Sequence, residues 1–362
     1  MLDLYKLIYK SFLMKTSDII DYSEFGFDWE KYIEKQAWAI VERIWKFNGR
    51  LYLEIGGKFL YDPHASRVLP WFLADSKKRI FSSLKDKADI IFCLNAIDLK
   101  NNRQLSSDDI GYGEYCISMI SDIENEIGIT PKISINRVSD ENIEESKQFK
   151  EKLYKLGYDA FLRNEIEWYP KDTDKVLSEN GYWADDYIEV KWDLILVTGA
   201  ASSSWKMSTC LWQIYKEQQT WIDSGYAKYE TFPIWNLPLN HPVNLAYEAA
   251  TADIGDYNEM DHYHEKAYSM TSVNYNRDVE AFEIVRDLAK NFLPEDNYTR
   301  SYKSPTDMWI STAGFCISNE EVVNQASLLE IDRRIEWYKE IIDRWEGDNI
   351  WIKRCENLKN RV

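Results

Sequence analysis

The chain has 362 residues, 45% of them hydrophobic, which suffices for one large domain or two ordinary ones around a real core. A formal net charge of -17 disfavours nucleic acid and anionic lipid as partners, because a surface of that sign repels both. Five cysteines form no CxxC pair and no apolar run reaches membrane-spanning length, so a soluble protein of the reducing cytoplasm is expected, with homo-oligomerisation left open.

Residues 1–26 read as an extension. The segment MLDLYKLIYKSFLMK is apolar but broken by Lys6 and Lys10, and it lacks the small-residue site of a signal peptide. Asp28 is placed to cap a helix over 29–47, with Ile33, Ala37, Ile40, Val41 and Ile44 on one face. Leu51 to Ile55 predicts a strand. Glu54 interrupts its apolar run and needs a partner if buried, with Arg67 and Lys58 as candidates. Gly56-Gly57 then turns the chain into an aperiodic stretch that carries Lys58, His64 and Arg67. Further strands are expected at Ile90–Leu94, Lys132–Asn136, Tyr158–Leu162 and Leu194–Val197. Helices between them start near Ser76, Tyr112 and Asp140, the last two stopped by Gly128 and Gly157.

After Trp221 the composition shifts to proline, asparagine and aromatics. Tyr229–Trp235 reads as a further strand, and Pro242–Ala252 and Asp278–Phe292 as helices. Ser304-Pro305-Thr306-Asp307 is a turn or helix cap, and Ser318-x-x-Glu321 a capping box that opens a long helix to about Trp345. The expected organisation is an extension (1–26), an α/β domain (27–237) and a mostly helical region packed on it (238–362). Strands alternating with helices predict a doubly wound, mainly parallel sheet, Rossmann-like or P-loop-like.

In such sheets ligands bind beyond the carboxyl ends of the strands. The loops Gly56–Arg67, Asn95–Arg103 and Gly199–Lys206 are therefore expected to share one crevice, with His64, Asn95 and Lys206 lining one pocket. The last loop is the most informative. A strand, a small-residue loop with Ser203 and Ser204, and a helix that starts at Lys206 together suit an anion. They depart from the phosphate-loop pattern G-x-x-x-x-G-K-[ST], because Trp205 precedes the lysine and Met207 follows it. His64 is a candidate general acid or base and Arg67 a candidate bidentate grip on carboxylate or phosphate, against a satisfied loop histidine and a surface arginine. Asn276 and Arg277 are candidate ligand contacts beside Asp278, which most simply caps the following helix. Asp261-His262-Tyr263-His264-Glu265 lacks a third ligand at fixed spacing, so no metal is assigned. No cofactor is identifiable, since neither G-x-G-x-x-G nor a nucleophile elbow occurs.

The blocks RLYLEIGGKFLYDPHASRVLPWF, IFCLNAIDLKNNR, GYAKYETFPIWNLPLNHPVNLAYEAATADIGDYNEMD, VNYNRDVEAF and YKSPTDM resemble the bacterial family catalogued as domain-of-unknown-function family eighteen forty-six. The resemblance spans roughly Phe27 to Glu330. It implies an α/β architecture and a soluble bacterial protein. It also implies a glycine-rich loop ending in Gly-Lys, whose lysine falls at Lys206 and whose glycines fall at Ala201, Ser203 and Trp205. The loss of those glycines, and of a hydroxyl directly after Lys206, implies a degenerate phosphate loop that holds ATP with Mg²⁺ only weakly. The family continues into a further C-terminal region, whereas this chain stops at Val362, so a shortened, divergent member is expected. Two functions stay open. One is an enzyme on an anionic small molecule, a nucleotide- or phosphate-dependent transferase or ligase, with His64, Arg67 and Lys206 as its catalytic candidates. Glu54, Lys58, Asn95, Ser203, Ser204, Asn276, Arg277 and Asp307 would bind substrate. The other is a non-catalytic binding or partner subunit derived from such an enzyme.

Overall fold

The computed structural model describes residues 25–105, 110–167, 169–344 and 347–361, and the N-terminal extension up to residue 24 lies outside them. Seven strands form one sheet: β1 (Arg50–Ile55), β2 (Ala88–Asn95), β3 (Lys132–Val138), β4 (Ala160–Asn164), β5 (Leu194–Gly199), β6 (Ser224–Tyr229) and β9 (Trp309–Ile310). Their order is β4-β3-β2-β5-β1-β6-β9, and every neighbouring pair is parallel. The strands expected from the sequence thus share one sheet, as their helix-alternated spacing requires. β7 (Asn258–Met260) and β8 (Val273–Tyr275) make a separate antiparallel ribbon.

The period of two along each strand divides the core into two layers. Leu51, Leu53 and Ile55 of β1 face one layer with Phe92 and Leu94, while Tyr52 faces the other with Cys93, Ile195 and Val197. The helices Ser76–Leu84 and Tyr112–Ile127, which follow β1 and β2, bury Ile80, Phe81, Ile120 and Ile123 in the first layer. The helix Lys206–Gln218, which follows β5, buries Cys210, Leu211 and Ile214 in the second. The chain therefore leaves β1 and β5 in opposite directions, and a crevice opens where their carboxyl ends diverge.

Several boundaries differ from the sequence reading. The strand expected at Tyr229–Trp235 lies earlier, ending at Tyr229. Ser224-Gly225 looks like turn chemistry, but it is buried strand. Gly225 is needed because the Phe47 ring lies 2.0 Å from where a β-carbon would stand. Asp28 caps its helix through Lys31 N at 3.0 Å as expected, although the helix ends at Ile44. The long C-terminal helix runs Glu320–Asp343 and is capped by Asn319, not Ser318, because the Asn319 side chain reaches Glu321 N and Val322 N.

Candidate functional site

The crevice holds a cleft of about 750 Å³. Its rim is the Gly56–Lys58 turn after β1 and the Gly199–Ser202 loop after β5, with Lys206 beside them. Glu54, Lys228 and Glu230 come from the β1 and β6 strand ends, and Tyr275, Arg277 and Asp278 from the start of the helix Asn276–Phe292.

Lys228 is at the centre of the charged lining and is only 6% exposed. Its ammonium donates to both Asp278 oxygens at 2.7 and 2.9 Å and to the Tyr275 hydroxyl, and it lies 3.2 Å from Glu230. Tyr275 passes the connection on, donating to Glu230 at 3.0 Å, and Trp309 Nε1 donates to Asp278 at 2.7 Å. Burial alone would lower the Lys228 pKa, but Asp278, Glu230 and Glu54 hold it above the usual lysine range. Burial pushes the Glu230 carboxyl up, and Lys228 offsets this only in part. Glu54 accepts from the Tyr226 hydroxyl at 2.7 Å, so its partner is neither Arg67 nor Lys58.

Two of the lining cations have no such partner. Lys58 is exposed, and neither its ammonium nor that of Lys206 makes a hydrogen bond or ion pair among the described residues. Arg277 lines the same cleft but is paired with Asp256 at 2.5 Å.

The Gly199–Lys206 loop is not an open cradle. Ser202–Ser204 form a single 3₁₀ turn, with Ser204 N and Oγ both donating to Ala201 O, at 3.2 and 2.6 Å. Asn95 Nδ2 holds Ser203 O at 3.2 Å and Asn136 Nδ2 holds Ser204 O at 2.7 Å, while Ser203 Oγ donates to Asp98 at 2.8 Å. The structure thus brings Asn95, Ser203 and Ser204 together, but in a brace behind the loop and not along the cleft. Trp205 sits at φ 63°, the left-handed region that glycine adopts without cost. Its ring packs 4.8 Å from Tyr169, under the Arg137 guanidinium.

His64 and Arg67 lie in a smaller pocket of about 240 Å³ that shares the Gly56–Lys58 turn and Glu230 with the cleft. Both side chains are directed to Glu330, at 3.2 Å from His64 Nδ1 and at 2.7 and 3.1 Å from Arg67. The remaining candidates make contacts within the protein. Asn276 accepts from Tyr257 N at 3.1 Å. Asp307 caps Pro305–Met308 through Ser304 N and ties down the Tyr268 hydroxyl. His264 shares a 3.0 Å hydrogen bond with Ser304, and among the described residues no group of three or more His, Cys, Asp or Glu is placed to hold a metal.

Lys228, Glu230, Tyr275 and Asp256 escaped the sequence reading, and Asp278 was read there as a cap. The helix starts at Asn276 with Tyr275 as its N-cap, so Asp278 stands in the first turn and turns inward to Lys228. A lysine in the apolar stretch GYAKY was the available signal, and the misplaced strand boundary hid it.

A parallel α/β sheet with a polar cleft at its switch point defines the class of protein. Within that class the chain belongs to the family described as "Domain of unknown function DUF1846, N-terminal", whose profile matches residues 25–361. It is 42% identical over 318 residues to the UPF0371 protein DIP2346 of Corynebacterium diphtheriae, covering 88% of this chain and 63% of that relative. A UPF0371 protein of Streptococcus pneumoniae is 40% identical over 339 residues, covering 92% of this chain and 67% of the relative. The chain thus spans a little under two thirds of the length of the first of these relatives.

Proposed function

We propose that the chain is an enzyme acting on an anionic small molecule bound in the cleft, a transferase or ligase that uses a phosphate-bearing substrate. The observation that carries this reading is the pairing pattern of the cleft's cations. Lys228 and Arg277 are neutralised by Asp278, Glu230 and Asp256, whereas Lys206 and Lys58 face the cleft without a carboxylate among the described residues. An anion at the start of the helix Lys206–Gln218 would meet the lysine and the first free N–H groups of the helix together. Glu230 supplies the proton chemistry. Burial lets it keep a proton at pH values where an ordinary carboxylate has lost it, and the Tyr275 hydroxyl and Lys228 hold it in place.

Calorimetry with inorganic phosphate, sugar phosphates and nucleotides tests the reading. An anionic ligand that binds the native chain and is lost at least tenfold in Lys206→Ala supports it, and indifference to that substitution removes its basis. ATP with Mg²⁺ is expected to bind no tighter than roughly 0.1 mM, about -5.5 kcal/mol. The reason is that Ala200 N and Ser204 N are already tied to Cys93 O and Ala201 O. The same occupied loop favours a second reading, a binding subunit without turnover. Ligand binding with no product formed in the presence of any co-substrate would select it.

A further inference from the structure

The small pocket next to the cleft is built around an excess of positive charge. Glu330, whose side chain is 1% exposed, receives Arg67 through Nε and a terminal nitrogen, Arg333 through Nε at 2.6 Å and a terminal nitrogen at 2.7 Å, Arg334 through Nε at 3.0 Å, and His64 through Nδ1. Three guanidiniums therefore converge on one carboxylate. Arg334 uses only Nε on Glu330, so its planar fork retains donors that no other described residue takes. Mutual repulsion is felt there. Burial, then the neighbouring Arg333 and Arg67, outweigh Glu330 and lower the Arg334 pKa. A second, independent sign is His64. It lines the same pocket, and its Nε2 is buried without a partner. Buried polar nitrogens of this kind are normally satisfied.

Internal contacts hold the wall of this pocket in place. Lys77 donates to Gly56 O at 2.7 Å and Lys58 O at 3.0 Å, which fixes the turn that separates this pocket from the cleft. Gly56 itself lets Glu230 approach, because a β-carbon there would lie 2.2 Å from the Glu230 oxygens. The two spaces thus share the glycine turn, Glu230, Tyr247 and Thr251 as common walls.

We propose that this pocket is a second anion subsite, in which Arg67 and Arg334 grip a phosphoryl or carboxylate group while His64 Nε2 accepts from a hydroxyl of the same ligand, and that the molecule taken by the cleft is anionic at both ends. Glu330 positions the arginines without neutralising them. Planar guanidiniums held in fixed orientation are suited to oxyanions, and a lysine would not replace them one for one. The two-ended substrate rests on the reading of the cleft given above. The subsite itself does not.

Calorimetry on the full chain with inorganic phosphate, and separately with malonate, tests the subsite. The expected result is two phosphate ions per chain, reduced to one in Arg334→Gln and to a different one in Lys206→Ala, with Arg334→Lys retaining part of the affinity. A tighter subsite response to phosphate than to malonate identifies a phosphoryl group, and the reverse order a carboxylate. Glu330→Gln provides a readout that does not depend on those variants. With the internal carboxylate neutralised, added phosphate should raise its melting temperature more than it raises that of the native chain. Phosphate binding that is abolished by Lys206→Ala and untouched by Arg334→Gln overturns the subsite and leaves the cleft reading standing. Loss in Arg334→Gln alone, with Lys206→Ala unchanged, does the opposite. If phosphate and malonate fail to bind at all and fail to shift the melting of Glu330→Gln, the subsite is refuted.

Discussion

Two buried ion clusters stand on either side of the Gly56–Lys58 turn with their charges inverted. Facing the cleft, one lysine is held by Asp278 and Glu230. Facing the side pocket, one glutamate is held by Arg67, Arg333, Arg334 and His64. The same side chain type behaves oppositely in the two places. Burial raises the Glu230 carboxyl, and Lys228 does not compensate. Burial also acts on Glu330, but hydrogen bonds from Arg333 and His64 and the charge of Arg67 overcome it and hold the carboxyl well below the ordinary range. The lesson is that depth alone does not set protonation. The number of opposing charges around the group decides it, which is why the proton chemistry is proposed for the first cluster and the anion subsite for the second.

The sharpest way to break this contrast is to remove the central group of each cluster. Lys228→Met leaves Glu230 and Asp278 buried without their cation and should cost on the order of 4 kcal/mol of unfolding free energy. Urea denaturation at neutral pH measures it, and a loss under about 1 kcal/mol would show that water or protonation relieves the cluster cheaply. Glu330→Gln should cost less, about 2–3 kcal/mol, because Arg67 and Arg333 keep 23% and 31% of their side-chain surface exposed and can turn to solvent. Equal losses in the two variants would mean that the clusters are energetically alike despite their opposite signs.

Titration separates them further. The folded chain holds the Glu230 proton more tightly than the unfolded chain does, so its contribution to stability declines as pH rises above the ordinary value of 4.5. Glu330 contributes in full above 4.5 and loses that contribution as the pH falls below it toward its depressed value. Relative to the native chain, Glu230→Gln should flatten the stability profile on the alkaline side of 4.5, and Glu330→Gln on the acid side. Thermal melts across pH 3 to 8 are the check, and the two variants altering the same limb would contradict the assignment.

How much of this was legible in the sequence follows from the range of the interactions. Strands β1 to β5 were readable because each is a local apolar run between turn residues. Their order was not, since it depends on which edges pair. The Arg67 grip was foreseen as chemistry but assigned to a ligand. Its partner Glu330 is 263 residues away in the chain, beyond the reach of any spacing argument. Asp278 was legible as a residue near a helix start and illegible as a ligand of Lys228, 50 positions earlier. Lys206 was the opposite case. Strand, loop and helix are contiguous, so its place at the cleft could be read directly, while the brace that Asn95 and Asn136 impose on the loop could not.

The smallest effect is expected at Tyr275, and it applies to one cluster only. Its hydroxyl accepts from Lys228 and donates to Glu230 at 3.0 Å, whereas Glu330 is held by guanidinium and imidazole donors. Tyr275→Phe removes one hydrogen bond from each neighbour while Asp278 still holds Lys228, so the loss of stability should be only about 1 kcal/mol. The protonation change is more telling. A carboxylate that loses a donor is a poorer anion, so the Glu230 titration should move further up, while that of Glu330 stays where it is. Carbon-detected NMR of the two carboxyls through a pH series would resolve both. An unshifted Glu230 would mean that the phenol is only packed beside the carboxylate, and the proton chemistry proposed for Glu230 would then be positioned by Lys228 alone.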